Sequence, residues 1–319
     1  MKISTRITAF LTAAAAALCL CSCSTENNSD TEDNGKLRII STVFPPYDLA
    51  KQIVGENAEI SILLPPGSES HTYEPTAKEI LEIQNCDIFL YIGGENEQWA
   101  EKLISANNSK GVKTVKLIDC VNKLEETDLQ EDEEEEHHEE HEHETDEHIW
   151  TSPKNEQLML SAVYDAICEV DPDNKEVYTK NKDSYNKQLT ELDKEYEEAI
   201  SGAKNKTIIL ADKFPFRYLA NEYGLNFYAA FSSCSDESEP SAAAMTSLIS
   251  TIKERNIPVV YYLEFSSTKV ADTLCSETGA SSLMLHSCHN VSKEDLEKGI
   301  SYVDFMKQNL ENLKTALNG

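Results

Sequence analysis

The chain has 319 residues, 40% of them hydrophobic, with a formal charge of −29. That length and apolar share exclude a wholly disordered chain and leave room for two ordinary domains. The acidic balance argues against nucleic acid as a partner and for cations.

Residues 1–22 read as an export signal. Lys2 and Arg6 give a positive start before the apolar stretch "ITAFLTAAAAALCL", which is too short to span a bilayer comfortably. "LCSC" at 20–23 has the form of a lipobox and makes Cys23 the expected lipidated residue, an ordinary secretory signal being the alternative. Residues 23–35, with "STENNSDTEDNG", form a polar tether. No later segment is long and apolar enough to span, so the expected location is extracytoplasmic, with the membrane held through lipid alone. With Cys23 lipidated and the signal removed, the remaining cysteines form no C-x-x-C pair, which leaves a zinc–thiolate site without support.

From residue 36, β-rich runs alternate with amphipathic ones. "KLRIISTVF", "AEISILL", "DIFLYIG" and "TVKLIDC" read as strands; "YDLAKQIVGE", "TAKEILEIQNC" and "EQWAEKLISANN" read as helices between them. After an acidic interruption at 125–147, "SPKNEQLMLSAVYDAIC" resumes as a helix. The alternation returns after about 205. The strands there are "TIILAD", "NFYAAF", "PVVYYLE" and "SLMLHS", with helices near 214–224, 241–256, 266–278 and 292–318. Between the halves, Tyr178, Tyr185, Leu189, Leu192 and Tyr196 share one helical face. The fold class is therefore α/β with two lobes, each a parallel sheet flanked by helices. The lobes span 36–172 and 204–319, and a long rigid helix over 173–203 joins them. The alternative keeps that helix within one lobe.

In open parallel sheets, ligands bind beyond the carboxyl ends of the strands. His71 and His148 lie after strands of the first lobe. Asp212, Glu264 and His286 end strands of the second. Imidazoles with carboxylates suit Zn²⁺, and a more oxygen-rich set suits Mn²⁺. Two alternatives stay open: Asp212 and Glu264 each precede a helix and would serve equally as caps. His289, in "SCHN", reads as an exposed turn residue. No G-x-S-x-G, H-E-x-x-H, Walker or G-x-G-x-x-G stretch is present in the sequence.

The stretch "STVFPPYDLAKQIVGENAEISILLPPGSESHTYEPTAKEILEIQNCDIFLYIGGENEQWAEKL", together with "DEHIWTSPKN", resembles the metal-binding solute-binding proteins of ABC transporters, the zinc/manganese uptake cluster. "YGL" at 223–225 and "ADTLCSETGA" at 271–280 fit the same family's second lobe. The resemblance implies one metal ion held between two lobes and delivered to a permease powered by an ATPase. It implies His71 and His148 as ligands. The family's usual third imidazole, within "HDAFGY", has no counterpart in "LADKFPFRYLANEYGL". Asp212 matches the Asp of that motif or replaces its His, His286 is expected to compensate, and Glu264 is the candidate acidic ligand. Similar proteins carry a disulfide in the second lobe, which points to Cys234 and Cys288. Zinc-specific members carry an acidic, His-rich insert where this chain has 125–147.

That insert holds fifteen Asp and Glu, no Lys or Arg, and His137, His138, His141 and His143. It has no apolar periodicity, so it is expected as a mobile loop that collects zinc weakly and passes it to His148 and His71. A solvated linker without function is the bland alternative. Because imidazole binds metal only when neutral, affinity is expected to fall as pH drops through about 6.5. The leading function is lipid-anchored zinc uptake. Mn²⁺ or Fe²⁺ uptake is the alternative within the class, and a metal-dependent hydrolase or a surface adhesin the alternatives outside it.

Overall fold

Strands β1 (Leu37–Ser41), β2 (Ala58–Ile62), β3 (Ile88–Tyr91) and β4 (Lys113–Lys116) pair in parallel in the order β2-β1-β3-β4. Strands β5 (Thr207–Leu210), β6 (Asn226–Ala229), β7 (Val259–Leu263) and β8 (Ser281–Leu285) repeat that order as β6-β5-β7-β8. The computed structural model describes residues 35–68, 73–106, 111–125, 145–231 and 239–318. The signal, Cys23, His71, most of the acidic run and Cys234 lie outside these residues.

Parallel strands need crossover helices, which cover both faces and demand apolar runs rather than alternation. "IFLY" in β3 and "TIIL" in β5 are buried at every position. In the first lobe the crossovers are α1 (Phe44–Val54), α2 (Ala77–Gln84) and α3 (Gln98–Ala106). α1 carries prolines in its first turn, where a missing N–H is not needed. α2 starts at a capping box of Thr76 and Glu79. Helix α4 (Pro153–Val170) begins at Ser152, whose side chain accepts from the Asn155 N–H.

Helix α5 (Lys175–Ser201) follows as the connector. The second lobe adds α6 (Arg217–Tyr223), α7 (Ala242–Arg255), α8 (Lys269–Thr278), α9 (Lys293–Lys298) and α10 (Tyr302–Leu317). The single helix expected over 292–318 is two, because Gly299 closes α9 in the left-handed region and Ser301 with Asp304 caps α10 anew.

α5 serves both lobes. Tyr178, Tyr185, Leu189, Leu192 and Tyr196 are all buried along it. Near its start, the Asn181 amide donates to Ile53 O (3.0 Å) and the Tyr185 hydroxyl to Asp48 Oδ2 (2.5 Å), both on α1. Near its end, the Tyr196 hydroxyl donates to Met306 O on α10 (2.8 Å). One continuous apolar cluster runs from Ile39 and Phe44 through Trp150 and Leu189 to Leu210, Tyr261 and Leu313. The lobes therefore share a core, and smaller clusters fill the outer face of each sheet.

Candidate metal-binding cleft

Residues in the connections that follow β2, β4, β5, β7 and β8 line one cleft of about 330 Å³ between the sheets. Each sheet reverses its strand order between its first and third strands, and Asp212 and Glu264 leave the two strands that flank that point in the second sheet.

His148 is 3% exposed and stands at the entry to a short turn, Ile149–Thr151. Its backbone N–H donates to Asp146 Oδ1 (2.8 Å), and its Nδ1 lies 3.1 Å from the same oxygen. A carboxylate at Nδ1 holds the proton there and leaves Nε2 as the donor atom for an ion. Asp146 is itself fixed: its N–H donates to Leu124 O (2.9 Å), and its carbonyl accepts from the Tyr218 hydroxyl (2.9 Å). The end of the acidic run is thus built structure, with Asp146 and Glu147 both buried.

Asp212 lines the cleft, and its Oδ1 accepts from the Lys213 N–H (2.8 Å). It caps no helix, since α6 starts at Phe216 without a side-chain cap. Glu264 also lines the cleft and does not cap α8, whose N-cap is Thr268. Its Oε2 accepts from the Ser287 N–H (2.8 Å) and its Oε1 from the Ser287 hydroxyl (2.6 Å).

His286 is placed differently from expectation. It does not line the cleft; its ring stacks on Phe305 at 3.8 Å and 18°. Its Nδ1 accepts from the Cys288 N–H (3.0 Å), which occupies that lone pair, and burial pushes its pKa down. Asn309 grips its backbone from both sides, Oδ1 accepting from His286 N–H (2.7 Å) and Nδ2 donating to His286 O (2.8 Å). His289 corrects the other reading of this loop. It is half-buried and lines the cleft, edge-on to His148 with ring centroids 5.6 Å apart.

Of the expected Cys234–Cys288 pair, only Cys288 lies among the described residues. Cys288 is a free thiol, fully buried, with its Sγ turned to His286 O at 3.7 Å. Among the described residues, no group of three His, Cys, Asp or Glu side chains is arranged to hold a metal ion. The described donors at the cleft are an imidazole pair, His148 and His289, with Asp212 and Glu264. Gly67 and Ser68 line the same cleft.

Behind Trp150 and His289 lies a small second cavity lined by Glu97, Asn96 and Glu147. Glu147 accepts from the Asn96 backbone and side chain (both 2.9 Å), while burial raises its pKa. Burial pushes Glu97 up to about 7, against the Gly93 N–H that donates to it (2.8 Å). The sequence reading missed Asp146 and His289. Their signals were present: an acid two residues before His148, and a second histidine beyond the same strand end.

The family model for zinc-uptake complex component A, periplasmic (ZnuA), matches residues 39–316. The chain belongs to the ZnuA family. Among ZnuA relatives, the high-affinity zinc uptake system protein of Bacillus subtilis (strain 168) is 41% identical over 285 residues, covering 88% of each chain. The zinc-binding lipoprotein AdcA of Streptococcus pneumoniae (strain ATCC BAA-255 / R6) is 35% identical over 287 residues. That match takes in 90% of this ZnuA-family chain but 57% of AdcA. Among solved structures, Zn(II)-bound AdcA from Streptococcus pneumoniae superposes with a TM-score of 0.75 at 34% identity, over 89% of this chain and 58% of that one. The metal-dependent lipoprotein YcdH from Bacillus subtilis superposes at 0.74 and 36% identity, over 88% and 99%.

Proposed function

We propose that this chain binds Zn²⁺ in the interlobe cleft, outside the cytoplasm, and hands it to an ABC permease driven by its ATPase. One observation carries the reading: His148, with Nε2 presented by Asp146, opens onto the same cleft as Asp212 and Glu264 of the other lobe. His71, Asp212 and Glu264 are the further candidate ligands on this reading. Imidazole nitrogens with one carboxylate suit zinc better than the harder Mn²⁺. Relatives named for zinc uptake favour zinc over Mn²⁺ or Fe²⁺, and transport over a hydrolase or an adhesin.

Metal analysis of the isolated chain and zinc competition against a chromophoric chelator test this reading. One tight zinc per chain is expected. His148→Ala should weaken it at least about 100-fold, and zinc should raise the melting temperature of the parent chain. A parent chain that holds no zinc at one equivalent sinks the proposal.

Two further parts belong to the same reading. Cys23 carries the lipid that keeps the chain at the membrane, so labelled fatty acid should be incorporated by the parent and not by Cys23→Ser. His137, His138, His141 and His143 bind zinc weakly and raise its local concentration at the cleft mouth.

A further inference from the structure

Two buried carboxylates, Glu97 and Glu147, border the small cavity behind Trp150, and among the described residues no lysine or arginine lines it. The turn after β3 is shaped around them. The Gly93 N–H donates to Glu97 Oε2, and Asn96 gives Glu147 its backbone N–H and its side-chain amide. Gly94, at φ +109°, lets the Glu147 carboxylate rest where a Cβ would collide with it. Each carboxylate oxygen has two lone pairs, so both groups keep room for a further partner.

A third oxygen, separate from the acids, meets the same space. Thr42 follows β1 and is fixed by its backbone, its N–H donating to Leu90 O (3.1 Å) and its carbonyl accepting from the Leu64 N–H (3.0 Å). It is 2% exposed and lines the cavity, and its hydroxyl, beside Glu97, closes no hydrogen bond of ordinary geometry. A buried hydroxyl left in that state is costly. The cavity measures about 20 Å³, room for one water-sized body. Buried acids call for a proton or a counter-charge. Burial pushes Glu97 up to about 7, so near neutrality its proton is easily displaced.

We propose that this cavity is a second cation site, apart from the cleft, which takes a hard divalent cation of the calcium class through Glu97, Glu147 and the Thr42 hydroxyl. None of these three donors lines the cleft, so the site does not depend on the zinc reading. Every donor is an oxygen, which suits Ca²⁺ rather than zinc. Two carboxylates balance one divalent charge. Ca²⁺ accepts irregular oxygen sets, whereas Mg²⁺ keeps several of its waters, and a water-sized cavity has no space for them. So few protein donors place the affinity at roughly 10⁻⁴–10⁻³ M. The ion ties together the chain after β1, the turn after β3 and the residue before His148.

The chain's two tryptophans, Trp99 and Trp150, both line this cavity, so a terbium ion seated there is excited through them. Terbium(III), standing in for Ca²⁺, is titrated into the full chain loaded with one equivalent of zinc. A saturable, tryptophan-sensitised emission is expected, and millimolar Ca²⁺ should displace it. Glu97→Gln should weaken terbium binding at least about tenfold, and Thr42→Val about threefold or more. Ca²⁺ at about 10 mM should raise the melting temperature of the parent by a few degrees and leave that of Glu97→Gln within about one degree. If the emission is absent, persists unchanged in both variants, or does not yield to Ca²⁺, the second site is overturned. Zinc competition on the same samples reads the cleft separately: both variants should bind zinc within about threefold of the parent.

Discussion

Asp146 holds Nδ1 of His148 from inside the protein, 4% exposed, and on the proposed reading this leaves Nε2 for the ion. Exchanging it for Asn keeps the shape and removes the charge that makes the imidazole a better donor. Zinc affinity of Asp146→Asn is expected to fall about 10- to 100-fold, read by chelator competition at neutral pH. The metal-free fold should hold, because Asp146's backbone bonds to Leu124 and Tyr218 remain. His148 was legible from sequence, since it follows a strand and carries a family motif. His286 and His289 were not separable that way. Both follow β8, and which one faces the cleft is decided by the backbone at Cys288 and by the grip of Asn309 on His286. Those are tertiary facts with no periodic trace in the chain.

The junction of α1, α4, α5 and α10 holds a buried acid that the metal site does not use. Glu156 on α4 is fully buried, and neither carboxyl oxygen has a hydrogen-bond partner among the described residues. Burial, helped by nearby Asp48, raises its pKa well above the usual carboxylate value. The folded state therefore holds this proton more tightly than the unfolded chain. Its contribution to stability is fully present below the unfolded value near 4.5 and is lost as pH rises towards the folded value. Glu156→Met should raise the melting temperature at pH 7.5, by about 2–4 °C per kcal/mol recovered, and should help less at pH 5. Tyr185→Phe tests the same junction from α5. Removing its hydroxyl leaves Asp48 short of a donor and should cost about 1–3 kcal/mol in urea unfolding. At this scale the sequence was informative. The five-residue stripe of α5 followed from apolar periodicity, and all eight strands from β-rich runs alternating with amphipathic ones. The break at Gly299 was passed over because amphipathic spacing continues across it.

The described residues from Leu37 onward are two similar sheets over one core, so the cleft is bordered by parts that cannot swing freely. Loading zinc is then expected to change the metal-free shape little, and small-angle scattering with and without the ion checks this. Removing residues 126–144 and joining the ends with a short glycine–serine link should leave one tight zinc site and abolish the weaker ones, as calorimetry would read. The boundary matters: a cut through to 147 would also take Asp146 and so damage the tight site. Glu125 and Thr145 face each other as an antiparallel bridge, and Asp146 N–H bonds back to Leu124 O. Whatever lies between departs from and returns to a single seam, and the entropy of closing such a loop grows only logarithmically with its length. The seam is thus a natural docking port for foreign inserts: a fluorescent domain spliced there should leave the framework that sets affinity undisturbed.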